Sequence, residues 1–312
     1  MKPAAAAVLG VNAASIEFQN PILLAAGTAA YGRELAGVMD LESLGGIVTK
    51  AVSPEPRKGA PPPRVAEFEG GMINAVGLAN PGLEAVGRDD LPWLAANVRM
   101  PRVIVNVVGS AVEDFTTVVE GLAGHSRIDA FELNVSCPNV KAGGMEFGSD
   151  VAVLTTLVSR ARAATQKPLF VKLSPTLASL ADTARAAAFA GADGITLVNT
   201  IPGLVIDVER RRPALGFGTG GVSGPGLLPV GVLAVHRVSQ SVDVPLIGVG
   251  GVSHGSDVIQ YMMAGATLVA VGTAALRDPR AAARIISEVA EWCDRHGVRS
   301  VTELVGTLEW PS

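Results

Sequence analysis

Leu246-Ile247-Gly248-Val249-Gly250-Gly251-Val252-Ser253 decides between two folds. An apolar run that breaks into glycines can open the phosphate-binding turn of a doubly wound sheet, or it can end one strand of an α/β barrel. The first reading needs a third glycine, a place after the first strand and an acidic residue about 20 positions further on. This stretch lacks the third glycine and lies near the end of the chain. The first apolar run, 22–25, is followed instead by Gly27-Thr28-Ala29-Ala30-Tyr31-Gly32, which does not match the pattern. The barrel reading asks only that the cadence repeat, and it does.

Short β-branched runs recur at 22–25, 46–49, 103–107, 130–135, 169–173, 194–198, 246–249 and 268–271. Ala/Leu-rich amphipathic segments lie between most of them, for example 112–122, 151–164, 179–190 and 256–264. Near-continuous apolar strands are those of a parallel sheet buried on both faces. Eight of them alternating with helices predict a (β/α)8 TIM barrel, read as a single domain over 1–312. Two Gly- and Pro-rich insertions interrupt the rhythm, 51–100 after the second strand and 200–228, a long loop, after the sixth. Loops that long in a compact domain are often functional.

Composition narrows the function classes. The 312 residues are 48% hydrophobic, ample for one large core, and 36 glycines and 20 prolines supply its turns. A net charge of −4 with 25 basic residues argues against a nucleic-acid footprint. The basic run Glu209-Arg210-Arg211-Arg212-Pro213 reads as a solvated loop. Two distant cysteines make no disulfide framework, and cytoplasm is the expected home. Cys293, beside Trp292, reads as a structural residue. Four scattered histidines show no metal-ligand spacing. Residues 258–276 carry no charge, but Gly265, Thr267, Gly272 and Thr273 divide them into a helix end, a turn and a strand. The Ala-rich start, with one lysine before Ser15, is a poor signal peptide, so a soluble protein is expected.

Barrel chemistry sits at the C-terminal strand ends. Those ends carry Lys50, Asn106, Asn134, Lys172, Asn199-Thr200, Gly250-Gly251 and Gly272-Thr273. The last two glycine-containing turns are where this fold builds a phosphate site from backbone N–H groups. Lys172, mid-barrel, needs an anionic partner. A cofactor that turns negative during turnover would supply one, as reduced flavin does at its N1–C2 edge. Asn74, Asn106, Asn134 and Asn199 offer donors and acceptors suited to a flat heterocycle with imide-like edges. Asn134-Val135-Ser136-Cys137-Pro138-Asn139 delivers a cysteine onto a loop, where a thiolate can act as nucleophile or as base. No acyl or phosphoryl electrophile is evident, which favours the base.

Several of these pieces resemble one family, the class 1 dihydroorotate dehydrogenases, over nearly the whole chain. They are Asn74-Ala75-Val76-Gly77-Leu78-Ala79-Asn80-Pro81-Gly82, Asn134 through Lys141, Val171-Lys172-Leu173-Ser174-Pro175 and the two late glycine turns. The resemblance implies FMN in the barrel mouth, its phosphate on Gly250, Gly251, Gly272 and Thr273 with Gly224 nearby. Its ring would meet Lys50, Ala51, Asn106, Asn134, Lys172 and Val198, with Ala26 at the first FMN-contacting turn. Dihydroorotate would be held by Lys50, Asn74, Ala75, Val76, Gly77, Leu78, Asn134, Asn199 and Thr200. Cys137 would take the C5 proton while hydride passes from C6 to flavin N5, and loop 138–148 would close over the ring.

Pro138 to Gly144 and Glu55-Pro56-Arg57 resemble the NAD-linked type 1B more than the fumarate-linked type 1A. That implies a homodimer and a partner subunit carrying FAD and a 2Fe–2S cluster, together a heterotetramer. Two departures stand out. Ala26 replaces a serine common at the first FMN-contacting turn, and Ala142 a histidine frequent in type 1B. Rival flavin barrels fit less well. A tRNA dihydrouridine synthase needs a basic surface, and a dihydropyrimidine dehydrogenase continues its cysteine loop differently. A silent flavin-binding subunit would not need Cys137, Lys50 and Lys172 together.

Overall fold

The computed structural model describes residues 8–136, 138–139 and 145–311. Eight parallel strands close into a barrel: β1 (Ile22–Leu24), β2 (Gly46–Val48), β3 (Arg102–Val107), β4 (Ala130–Asn134), β5 (Leu169–Leu173), β6 (Gly194–Leu197), β7 (Leu246–Val249) and β8 (Leu268–Val271). Each pairs with its sequence neighbours, and β8 closes on β1 through Val269–Ile22, Ala270–Leu23 and Val271–Leu24. Strand positions agree with the sequence reading to within a residue at either end.

Six longer helices follow the last six strands: α1 (Val112–Leu122), α2 (Val151–Ala163), α3 (Leu180–Phe189), α4 (Leu228–Ser239), α5 (Gly255–Met263) and α6 (Ala281–Arg295). Their starts are capped as composition suggests. Asp150 accepts from the N–H groups of Ala152 and Val153, and Ser179 from that of Asp182. Between β1 and β2 there is only a turn region with a short 3-10 segment, Leu41–Ser43.

Alternation sets which side chains reach the barrel interior. On β4 the outward Phe131 and Leu133 are fully buried under helices, while Glu132 and Asn134 face inward. Glycines make room for large inward neighbours. A Cβ on Gly46 would lie 2.9 Å from a Leu23 methyl, and one on Gly194 would collide with the Phe170 ring. At the N-terminal end a hairpin, Val11–Ala13 with Ile16–Phe18, covers the barrel floor. The Arg102 guanidinium at the start of β3 donates to the Glu17 carbonyl at 2.7 Å, fixing that hairpin in place.

The two insertions are not loops. Val65–Phe68 and Gly71–Asn74 from the first join Gly220–Ser223 and Ile201–Gly203 from the second in one four-stranded antiparallel sheet. This sheet roofs the C-terminal mouth of the barrel. Its glycines suggest a loop in sequence, yet they serve close backbone approach. A Cβ on Gly220 would lie 2.5 Å from the Asn74 carbonyl oxygen, and one on Gly221 would collide with Thr200 Oγ1. Among the described residues no helix is long and apolar enough to cross a membrane.

Candidate active site

Between the strand ends and the roof lies a cavity of about 1020 Å³. Every site residue expected from sequence lines it except Cys137, which lies outside the described residues, as does 140–144 of the expected closing loop. The flanks of that loop are paired: Pro138–Asn139 runs antiparallel to Met145–Glu146.

Two lysines supply positive charge. Lys172, on β5, is only 7% exposed and makes no hydrogen bond or ion pair among the described residues. Lys50 follows β2 and is held by its backbone N–H, which donates to the Ala30 carbonyl at 2.8 Å. A buried cation without a partner is costly, so the cavity is built to receive negative charge.

Amides form the next layer. Asn199 Nδ2 donates to Asn134 Oδ1 at 3.3 Å, and Asn199 Oδ1 accepts from the Thr200 N–H at 2.8 Å. Asn74, the last residue of its roof strand, donates from Nδ2 to the Gly221 carbonyl of the neighbouring strand at 3.3 Å. Asn106 Oδ1 and Ser136 Oγ are buried with no partner among the described residues. Such atoms are rare in a finished interior, and both belong to residues that line the cavity. The turn after Asn74 is wound tightly, with φ of +69° at Gly77 and +55° at Leu78. Asn80 holds it, with Nδ2 donating to the Leu78 carbonyl and Oδ1 accepting from the Gly82 N–H, at 2.8 and 2.9 Å. A leucine in that left-handed conformation persists only where its surroundings enforce it.

At the far end, Gly250 and Gly251 have φ of +129° and +76°. A Cβ on Gly251 would collide with the backbone nitrogen of Leu228, so the turn accepts only glycine. The buried Tyr261 hydroxyl donates to the Gly250 carbonyl at 2.8 Å. Burial, helped by nearby Asp257, pushes that phenol well above its ordinary range and keeps it a donor. The N–H groups of Gly250, Gly251 and Gly272 make none of the turn hydrogen bonds among the described residues. Gly272, where a Cβ would meet only Ala25 Cβ at 3.8 Å and Thr28 Oγ1 at 4.0 Å, and the Thr273 hydroxyl, bonded to Ser223 Oγ at 2.8 Å, complete a cradle with Gly224 (φ +105°). The arrangement suits an oxyanion at this end and a flat, polar-edged ring along the lysines and amides.

The family model for dihydroorotate dehydrogenase matches residues 8–292. The chain belongs to the dihydroorotate dehydrogenase family. A Geobacter relative (strain M21), named dihydroorotate dehydrogenase B (NAD(+)) catalytic subunit, is 44% identical over 96% of this chain and 98% of its own length. One of the same name from Desulforudis audaxviator is 47% identical, covering 95% of this chain and 96% of its own. A relative from Solibacter usitatus, 44% identical over 97% of this chain and 99% of its own, carries the fumarate-type name instead. The crystal structure of an Eimeria tenella dihydroorotate dehydrogenase in complex with ferulenol superposes with a TM-score of 0.80 at 24% identity. That match covers 98% of this chain and 90% of that one, and it supports the barrel fold.

Family membership does not exhaust the site, since sequence reasoning passed over two residues that line the cavity, Ser136 and Glu146, and one that supports its wall, Glu132. Ser136 stood inside the quoted cysteine motif but was given no role. Glu146 lines the cavity, and its carboxyl is raised above the usual range by burial, an effect partly opposed by a 3.3 Å hydrogen bond from Ser174 Oγ. Nothing in sequence marked it, because the fold brings it in through the Pro138–Glu146 pairing. Glu132 lies just below, 1% exposed, with both carboxylate oxygens used. A signal for it did exist: it is charged inside an apolar strand, two residues before Asn134 and hence on the same face.

Proposed function

We propose that the chain oxidises dihydroorotate to orotate with FMN as hydride acceptor. The observation that carries this reading is the buried Lys172, without a partner among the described residues, sharing one cavity with the glycine cradle. The residues fit the cofactor. Backbone N–H groups at Gly250, Gly251, Gly272 and Thr273, with Gly224, would take its phosphate. Lys50, Ala51, Asn106, Asn134, Lys172 and Val198 would border its ring, and Ala26 would contribute backbone. When bound, FMN supplies the hydride-accepting centre.

Around it the chain binds, orients and moves a proton. Lys50, Asn199, Thr200 and the turn Asn74, Ala75, Val76, Gly77 and Leu78 would hold the pyrimidine, with Asn134 between the two rings. Amide donors on the carbonyl next to C5 stabilise charge developing there, and Cys137 takes the C5 proton. The roof sheet keeps water out. A partner subunit carrying FAD and a 2Fe–2S cluster would supply the electron route to NAD. The catalytic chains form a homodimer in the cytoplasm, within a heterotetramer. The catalytic-subunit names of the Geobacter and Desulforudis relatives support this reading. The Solibacter name supports fumarate as acceptor instead.

Anaerobic addition of dihydroorotate to the yellow protein tests the first part, and bleaching is expected. Flavin that is present but stays oxidised refutes the substrate. Supplying NAD or fumarate to the reduced protein, with and without a co-purified subunit, decides the acceptor.

A further inference from the structure

Glu132 does not line the cavity, yet it governs a residue that does. Its Oε1 accepts from Asn106 Nδ2 at 2.7 Å and its Oε2 from Thr196 Oγ1 at 2.8 Å. Strands β3, β4 and β6 are thereby joined across the barrel interior. The Asn106 backbone is fixed separately, its N–H donating to Thr49 Oγ1 at 3.2 Å. The amide therefore has one sense. Turned over, it would set its carbonyl oxygen against a carboxylate. In the sense observed, the NH2 is consumed by Glu132 and Oδ1 is left buried and without a partner among the described residues.

From this the geometry points to Glu132 as a positioning residue. It turns Asn106 so that a bare acceptor faces the cavity and receives a ring N–H of the bound ligand. The inference rests on the flavin and pyrimidine reading above, and it adds selection. A cavity wall offering an acceptor here rejects a ring whose corresponding nitrogen carries no proton, because Oδ1 then stays unpaired. Oxidised flavin has one ring N–H, at N3, and dihydroorotate has two, so either ligand could be the one selected.

Side-chain length and charge can be separated at this position. Glu132→Met removes both acceptors. Glu132→Asp keeps the charge but is one methylene too short to reach Asn106 and Thr196 together. Glu132→Gln loses the charge but can still accept from Asn106 while donating to the Thr196 hydroxyl. Flavin-stripped full-length protein is titrated with FMN and with N3-methylated FMN, and the flavin-loaded protein with orotate, read by the shift in flavin absorption.

In the flavin arm the wild type is expected to favour FMN over the methylated form by about tenfold, the worth of one buried hydrogen bond. The Met and Asp variants should lose that preference, while the Gln variant keeps it within about threefold. If the preference survives but orotate binding weakens in the same order, the acceptor serves the pyrimidine, and the positioning role stands. Should the Met variant fail to fold, the Asp–Gln contrast decides. Asp behaving like wild type while Gln loses selectivity makes charge the cause and overturns the proposal. Variants equal to wild type in both arms overturn it too, as does equal loss for both flavins with a lowered Tm. A wild-type protein that takes up no FMN refutes the parent reading, and this one with it.

Discussion

Replacing Lys172 with methionine keeps the aliphatic stem and deletes the charge. The Lys172 amine makes no hydrogen bond or ion pair among the described residues, so its removal breaks no protein contact. Apoprotein stability should therefore fall by no more than about 1 kcal/mol, within the range of volume-conserving swaps, and any change beyond that should be a gain, because a costly buried charge is gone. The reduced flavin, by contrast, loses its counter-charge. A unit cation about 4 Å from a unit anion is worth about 4 kcal/mol at an effective dielectric of about 20. That is an upper bound, because part of the attraction replaces lost hydration. For a two-electron couple, about 1.4 kcal/mol corresponds to about 30 mV, so the flavin midpoint should fall by about 40–90 mV. Dye-coupled potentiometry of Lys172→Met against wild type measures the shift, and thermal unfolding of both apoproteins provides the control. A midpoint within about 10 mV of wild type, with flavin bound, would refute the reasoning. So would an apoprotein destabilised by several kcal/mol, since Lys172 would then be a structural residue.

Cys137→Ala should retain FMN but slow flavin reduction about 10²–10⁴-fold at neutral pH, followed by anaerobic stopped-flow. Near-normal reduction removes Cys137 from the base role. Gly251→Ala places a Cβ at φ +76° against the Leu228 backbone, so it should cost about 1–3 kcal/mol and release flavin on gel filtration. A variant that stays yellow with unchanged Tm would separate that turn from the cofactor. Burial raises the Glu146 carboxyl in the folded state, so ionising it on the way up in pH removes stability from the wild type. Urea unfolding should find Glu146→Gln equal to wild type below the ordinary carboxylate range and increasingly favoured as pH rises through the raised value. A gain confined to acid pH contradicts this sign.

Much of the candidate site was readable because parallel strands of a barrel all end on one rim. Lys50, Asn106, Asn134, Lys172 and Asn199 could be placed on one rim from the ends of apolar runs alone, and the cavity lining includes all of them. Gly250 and Gly272 were likewise marked by following the seventh and eighth strands. The roof was not readable. Asn74 and Gly221 are 147 positions apart, and the roof strands carry a single β-branched residue each (Val65, Ile73, Ile201 and Val222), too few among glycines to announce a strand. Their pairing depends on backbone approach, which leaves no local pattern. Glu132 was hidden for the opposite reason, since its neighbours Phe131 and Leu133 made the whole strand read as apolar.

The roof sheet has a bearing on traffic. Because its central pairing, Gly71–Asn74 with Gly220–Ser223, draws one strand from each insertion, neither can swing away alone without stripping a row of backbone hydrogen bonds. The Thr273–Ser223 bond stitches the same sheet to the end of β8. A wall fastened on both sides makes a poor door. Exchange of small molecules with the cavity is then left to segments outside that ladder, and a tightly held group beneath the roof is best installed while the chain is still folding.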